Sequence, residues 1–222
     1  MDTLKKNLEQ QEKAELIAII QHMLRQEPDL QWLLMTLLPT GSPRKPSLDP
    51  EMYRRQVLAA MSAGDYQRKR KHGEVQRGLT AIKTIADELV AKEHYVAALI
   101  IYEVLVTEII EHFNDYRDEY VAFCVILIGC IDGLDSCFAG EEDNPQIRMR
   151  VLQALFAIYH FYTESGMDLD EDIPGLLVGN TTPEERRVIA SWTQEALTHK
   201  AAWSSSEPYE TLLAALERTD WR

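Results

Sequence analysis

Signatures of catalysis are what this chain lacks most. It has no glycine-rich phosphate loop and no G-x-S-x-G turn, so backbone cradling of phosphate and a serine elbow are both without their sequence. Cysteine is scarce: Cys124, Cys130 and Cys137 are the only three. An odd number gathered on one segment makes no disulfide framework, and buried thiols behave as small hydrophobes. A reducing compartment is therefore expected. Long apolar runs are missing too. The longest, Val121 to Ile131, is eleven residues, with Asp118 and Glu119 before it and Asp132 and Asp135 after it. A membrane span needs about 20 apolar residues, so this segment reads as a central core helix wrapped by its neighbours. The opening MDTLKKNLEQQEK has neither an apolar core nor a small-residue cleavage site. No signal peptide is expected, and the expected location is cytoplasmic.

Basic charge is short in the larger part of the chain. Residues 1–75 hold 12 Lys+Arg against 10 Asp+Glu, while residues 76–222 hold 11 against 26, a balance of −15 within a formal net charge of −13. That acidic body repels nucleic-acid phosphate, whose binding needs neutralising cations.

What is present is helical patterning. Leu16, Ile19, Ile20, Met23 and Leu24 form one apolar stripe, Pro28 interrupts it, and Leu30, Leu33, Leu34 and Leu37 resume it. Residues 1–38 thus read as a helical hairpin. Residues 39–50, PTGSPRKPSLDP, carry four prolines, one glycine and two serines, and read as a linker. The main domain, 51–222, opens on a helix start with Asp49 as N-cap and Pro50 in the first turn.

Val75, Leu79, Ile82, Ala86 and Leu89 then step by four, three, four and three. Tyr95, Ala98, Leu99, Tyr102, Leu105, Ile109 and Phe113 share a face of the next helix, with further apolar residues requiring cover on a second side. Gly129 and Gly133, four apart, are expected to admit a neighbouring backbone. Asn144-Pro145 starts the helix carrying Val151, Leu152, Leu155, Phe156, Tyr159 and Tyr162. MDLDEDIPGLLVGN, after Gly166, reads as acidic and irregular. Thr182, Pro183 and Glu185 spell a capping box, followed by a stripe of Val188, Ile189, Trp192 and Ala196 and a last helix from about Ser206. No segment alternates as a strand does. The expected fold is all-α, stacked antiparallel helices in an array or an irregular bundle.

Candidate chemistry is sparse. Asp168, Asp170 and Asp172 alternate like a calcium loop, but Ile173 and Gly179 stand where glycine and glutamate are needed. Glu108, Glu111 and His112 share a helix without the spacing of a di-iron or zinc-protease motif. Glu195 and His199 are four apart, the spacing of a surface contact. No cofactor, metal or catalytic residue is assigned. The basic run Arg68, Lys69, Arg70 and Lys71 is a candidate partner contact, against the plainer reading of a solvated segment. Trp203, at a helix end, is another candidate anchor.

Three segments carry a family resemblance: AELIAIIQHMLRQEPDLQWLLMTLL, LVAKEHYVAALIIYEVLVTEII and DNPQIRMRVLQALFAIYHFY. In that order they resemble the helical region C-terminal to the zinc motif of bacterial SWIM zinc-finger proteins, where a leucine-rich hairpin precedes a tetratricopeptide-like array. Glu93 to Val106, beginning E-H-Y-x-x-A, is similar to the second half of a tetratricopeptide unit, though no 34-residue period recurs. The family's C-x-C and C-x-H metal motif is absent, so its zinc and DNA-binding role are not implied. The resemblance implies a stacked-helix scaffold without catalytic residues. Composition and resemblance together lead to the expectation of a non-enzymatic scaffold or adaptor binding another protein, in a larger bacterial complex and away from membranes. The alternative is an accessory nucleic-acid-binding protein using residues 68–72.

Overall fold

The computed structural model describes residues 13–26, 48–62, 73–166 and 172–218. Backbone contacts divide the chain into two units, Met1–Pro46 and Ser47–Arg222. Among the described residues every regular element is helical, and the protein is an all-α helical bundle.

The first unit contributes α1, Lys13–Gln26. Leu16 and Ile20 are half-buried within it, whereas Ile17 and Ile19 are exposed. Ile19 thus departs from the expected stripe. The second half of the expected hairpin, the linker up to Ser47 and the basic run lie outside the described residues.

The second unit begins with α2, Pro50–Ser62, where the Asp49 carboxylate accepts the Glu51 N–H at 3.1 Å. α3, Glu74–Val90, buries Val75, Leu79, Ile82 and Ala86, the spacing that makes one stripe on a helix. Its end is a tight turn in which Glu93 takes a left-handed φ of 59° and the His94 N–H donates to the Leu89 carbonyl at 2.8 Å. Such left-handed caps satisfy carbonyls that the helix leaves open. The chain then returns as α4, Tyr95–His112, which packs on α2, α3, α5 and α6. Ten of its residues are buried, and each large apolar one contributes about 1.5–3 kcal/mol. This two-sided burial is what its sequence requires.

A short 3₁₀ turn, Arg117–Glu119, leads into α5, Tyr120–Gly140. By length and composition alone α5 matches a membrane span, with a mean hydropathy of 2.0 over 18 residues, of which 56% are buried in the protein. It packs on α3, α4 and α6 as a core helix. The expectation that neighbours wrap it needs correction: Val121 is 67% exposed, Val125 48% and Tyr120 44%, so one side of its first turns faces outward. A uniformly apolar segment carries no phase from which the uncovered side can be read.

The glycines of α5 also differ from expectation, because side chains rather than a backbone fill the space beside them. A Cβ on Gly133 would stand 2.2 Å from the Tyr102 ring, and one on Gly129 would stand 2.6 Å from Cε of Lys83. Tyr102 donates to Asp87 at 2.7 Å, and Lys83 Nζ reaches both oxygens of the same carboxylate at 2.9 Å. The two glycines therefore seat a polar lock built by α3 and α4.

α6, Pro145–Ser165, starts where Asn144 accepts the Ile147 N–H at 3.3 Å and stops at Gly166, φ 64°. The stretch expected to be irregular contains a short helix, α7, Ile173–Gly179, started by the Asp172 carboxylate on the Gly175 N–H at 2.8 Å. Its buried Ile173, Leu177 and Val178 repay that start, a packing effect with no period long enough to see in seven residues. α8, Pro183–His199, has the expected capping box, and α9 runs from Glu207 to Glu217. Arg148 of α6 joins these parts. It lies 3.9 Å over the Phe138 ring, donates to both oxygens of Glu185 at 2.8 and 3.0 Å, and reaches the Asn180 carbonyl at 2.8 Å.

Candidate functional site

Two facing helical stripes create a cleft. On α6, Phe156, Ala157, His160 and Glu164 fall at i, i+1, i+4 and i+8. On α8, Trp192, Glu195, Ala196 and His199 fall at i, i+3, i+4 and i+7. These spacings put each set on one side of its helix. The space between is about 450 Å³ and open to solvent. Phe156 and Trp192, ring centres 5.6 Å apart, give it an aromatic wall, while Glu195 and His199 stand exposed at its rim.

Beneath the cleft runs a polar chain anchored by Tyr209 of α9. The Glu164 carboxylate accepts from the Tyr209 hydroxyl at 3.0 Å, the Ser204 hydroxyl at 3.0 Å and the Ala201 N–H at 2.9 Å. Burial pushes the Glu164 carboxyl up, but these three donors and the nearby His160 outweigh it and hold the group below the ordinary carboxylate range. Burial first, then the Glu164 charge, pushes the Tyr209 phenol well above its usual value. Its single proton is thus committed to Glu164. The His160 Nδ1, 2.6 Å from the same phenol oxygen, must then be the donor in that contact. In the neutral ring Nε2 is left as acceptor. At the rim, His199 Nδ1 donates to the Glu195 carbonyl at 2.9 Å, which fixes the same tautomer.

The cleft offers an apolar wall with hydrogen-bonding groups fixed beneath and beside it. The hydroxyl nearest the His160 imidazole, that of Tyr209, is one whose proton burial and the Glu164 carboxylate hold in place. Burial also pushes the Cys130 and Cys137 thiols up to about 12, the reverse of what a nucleophile needs. An apolar wall with a few fixed polar groups is the usual make-up of a recognition cleft.

Of the residues singled out by sequence, Arg68, Lys69, Arg70 and Lys71 lie outside the described residues. Trp203 is 81% exposed, and its indole N–H donates to the Glu164 carbonyl at 3.3 Å, next to the polar chain. Trp192, expected in the core, is half-buried: it packs against the core and also lines the cleft. Phe156, His160 and Tyr209 were not legible as site residues. The one available signal was the four-residue step from Phe156 to His160, an aromatic followed by an imidazole on the same face.

No protein-family model, no curated protein and no solved structure matches this chain.

Proposed function

We propose that this protein is a non-enzymatic interaction module, a scaffold or adaptor of stacked helices. Its α6–α8 cleft takes an apolar side chain of a partner protein with Lys or Arg beside it. The observation that carries the reading is the aromatic wall of Phe156 and Trp192 with Glu195 exposed at its edge. The apolar wall supplies burial, and the carboxylate selects a basic flank. The acidic surplus of residues 76–222 favours the same choice of partner. The outward strip of Tyr120, Val121 and Val125 gives such a scaffold a second apolar face.

Selection of displayed peptides on the full chain tests this reading. Recovered peptides should place a bulky apolar residue next to Lys or Arg. Trp192→Ala should weaken them by on the order of 2 kcal/mol, about 30-fold. Glu195→Lys should weaken them further as salt is lowered, whereas Val125→Asp should leave them unchanged. Peptides with no basic flank, or peptides indifferent to Trp192→Ala, would remove the cleft from the account.

A further inference from the structure

We propose that the C-terminal end of α4 binds a zinc ion through Glu108 Oε2, a carboxylate oxygen of Glu111 and His112 Nε2. Each of the three residues offers one ligand atom, and these atoms all lie within 4.8 Å of one another. Glu108 is only 3% exposed. Its Oε1 accepts from Arg54 Nε of α2 at 2.7 Å, whereas its Oε2 is buried without a hydrogen-bond partner. A buried carboxylate oxygen left in that state is unfavourable, and it calls for a donor or a cation.

The atom facing it is His112 Nε2, at 3.6 Å. The other ring nitrogen, Nδ1, is 3.1 Å from the Asp115 carboxylate, which can only accept. With the Nδ1 proton given to Asp115, the neutral ring turns a lone pair toward Oε2. Two lone-pair atoms held at that separation are placed as a cation's ligands are. Zinc bonds of about 2.0–2.2 Å in tetrahedral geometry set neighbouring ligands roughly 3.3–3.6 Å apart. The carboxylate–histidine pairing is also the common outer support of a metal-bound imidazole. Glu111 is exposed, so its side chain is free to turn in as the third ligand.

Charge and donor type agree. The Arg54 guanidinium pairs with Glu108 Oε1 and with Glu51, while the Glu111 and Asp115 carboxylates add negative charge beside His112, and the site lies at the negative end of the α4 dipole. An imidazole with two carboxylates suits zinc, whereas calcium and magnesium favour oxygen alone. Three protein ligands leave one position for water. Motif scanning passes over this set because a single histidine follows two glutamates at i, i+3 and i+4, instead of the paired histidines of HExxH.

The rival occupant of the gap is a proton on Nε2, and the experiment separates the two. The full chain, stripped with chelator and dialysed, is titrated with zinc chloride by calorimetry and with cobalt chloride by visible absorption. One equivalent of zinc should bind, and cobalt should give the intense bands of a four-coordinate site. Glu111→Gln, an exposed position that leaves the core intact, should weaken zinc at least 10-fold. His112→Ala should abolish the cobalt bands, and Asp115→Asn should weaken zinc by about 10–100-fold. His94→Ala should leave zinc binding unchanged, and calcium and magnesium chloride should give no binding heat. Absence of zinc binding by the wild-type chain overturns the proposal, as does one equivalent bound equally well by Glu111→Gln and His112→Ala.

Discussion

Adding one methyl group at Gly133 is the sharpest test of how α3, α4 and α5 are held together. The new Cβ would stand 2.2 Å from a ring carbon of Tyr102, a side chain with no exposed surface and with its hydroxyl tied to Asp87. The ring has nowhere to go without breaking that hydrogen bond or moving α4. Overpacking of a filled core costs typically about 1–3 kcal/mol, and this approach is close enough for the upper end. Replacing glycine by alanine in a helix returns about 1 kcal/mol through backbone propensity. The net expectation for Gly133→Ala is a loss of about 2 kcal/mol, which lowers Tm by roughly 4–8 °C in a chain of this length.

Gly129→Ala is the internal control. Its Cβ meets Cε of Lys83, the far end of a flexible side chain. Lys83 shifts at the expense of an ion pair with the half-exposed Asp87, worth about 0–1 kcal/mol. The propensity gain should then leave Gly129→Ala within about 1 kcal/mol of wild type. Thermal unfolding followed by circular dichroism reads both variants. Equal Tm values for the two, or a Gly133→Ala chain as stable as wild type, would refute the account of Tyr102 as a fixed obstacle.

Two further outcomes follow from the ionisable groups. With Cys130 and Cys137 pushed up to about 12, roughly one thiol in ten thousand is ionised at pH 8. A disulfide reagent should therefore label at most Cys124 in the native chain and all three cysteines in denaturant, and rapid labelling of three in the native chain would contradict the buried core. Burial raises the Glu185 carboxyl, but Arg148 and the Thr182 donors more than offset this and hold it below its ordinary value. A depressed carboxylate contributes stability above its unfolded value of about 4.3 and loses that contribution as pH falls through the folded one. The Tm gap between wild type and Glu185→Gln should accordingly be wide at pH 6 and close toward pH 3. A gap independent of pH would show that the carboxylate charge is not what Arg148 holds.

Much of the fold was legible because the signals are local. Val75, Leu79, Ile82 and Ala86 mark the buried side of α3 by spacing alone, and Thr182-Pro183-x-Glu185 spells the start of α8 within four residues. The short helix after Asp172 is not legible because its seven residues, about two turns, show no period and are stabilised by packing. The candidate site was less legible still. Phe156 and Trp192 fall on apolar stripes, and whether such residues meet a neighbour or border a cleft depends on the separation of two helices. The Tyr209 hydroxyl reaches Glu164 across 45 residues, and the pairing of Arg148 with Glu185 spans 37. Nothing in the local sequence of either partner announces those contacts.

Glu185 has two employments at once. One of its oxygens closes the cap on the Thr182 N–H at 2.8 Å, and the pair together grips Arg148. The residue that lets α8 begin is therefore the residue that fastens it to α6. A chain in which α8 had come away from α6 would keep its local cap but leave the Glu185 carboxylate and the Arg148 guanidinium each without the other. Partial opening of the C-terminal layer is thereby disfavoured, which holds the two walls of the cleft together.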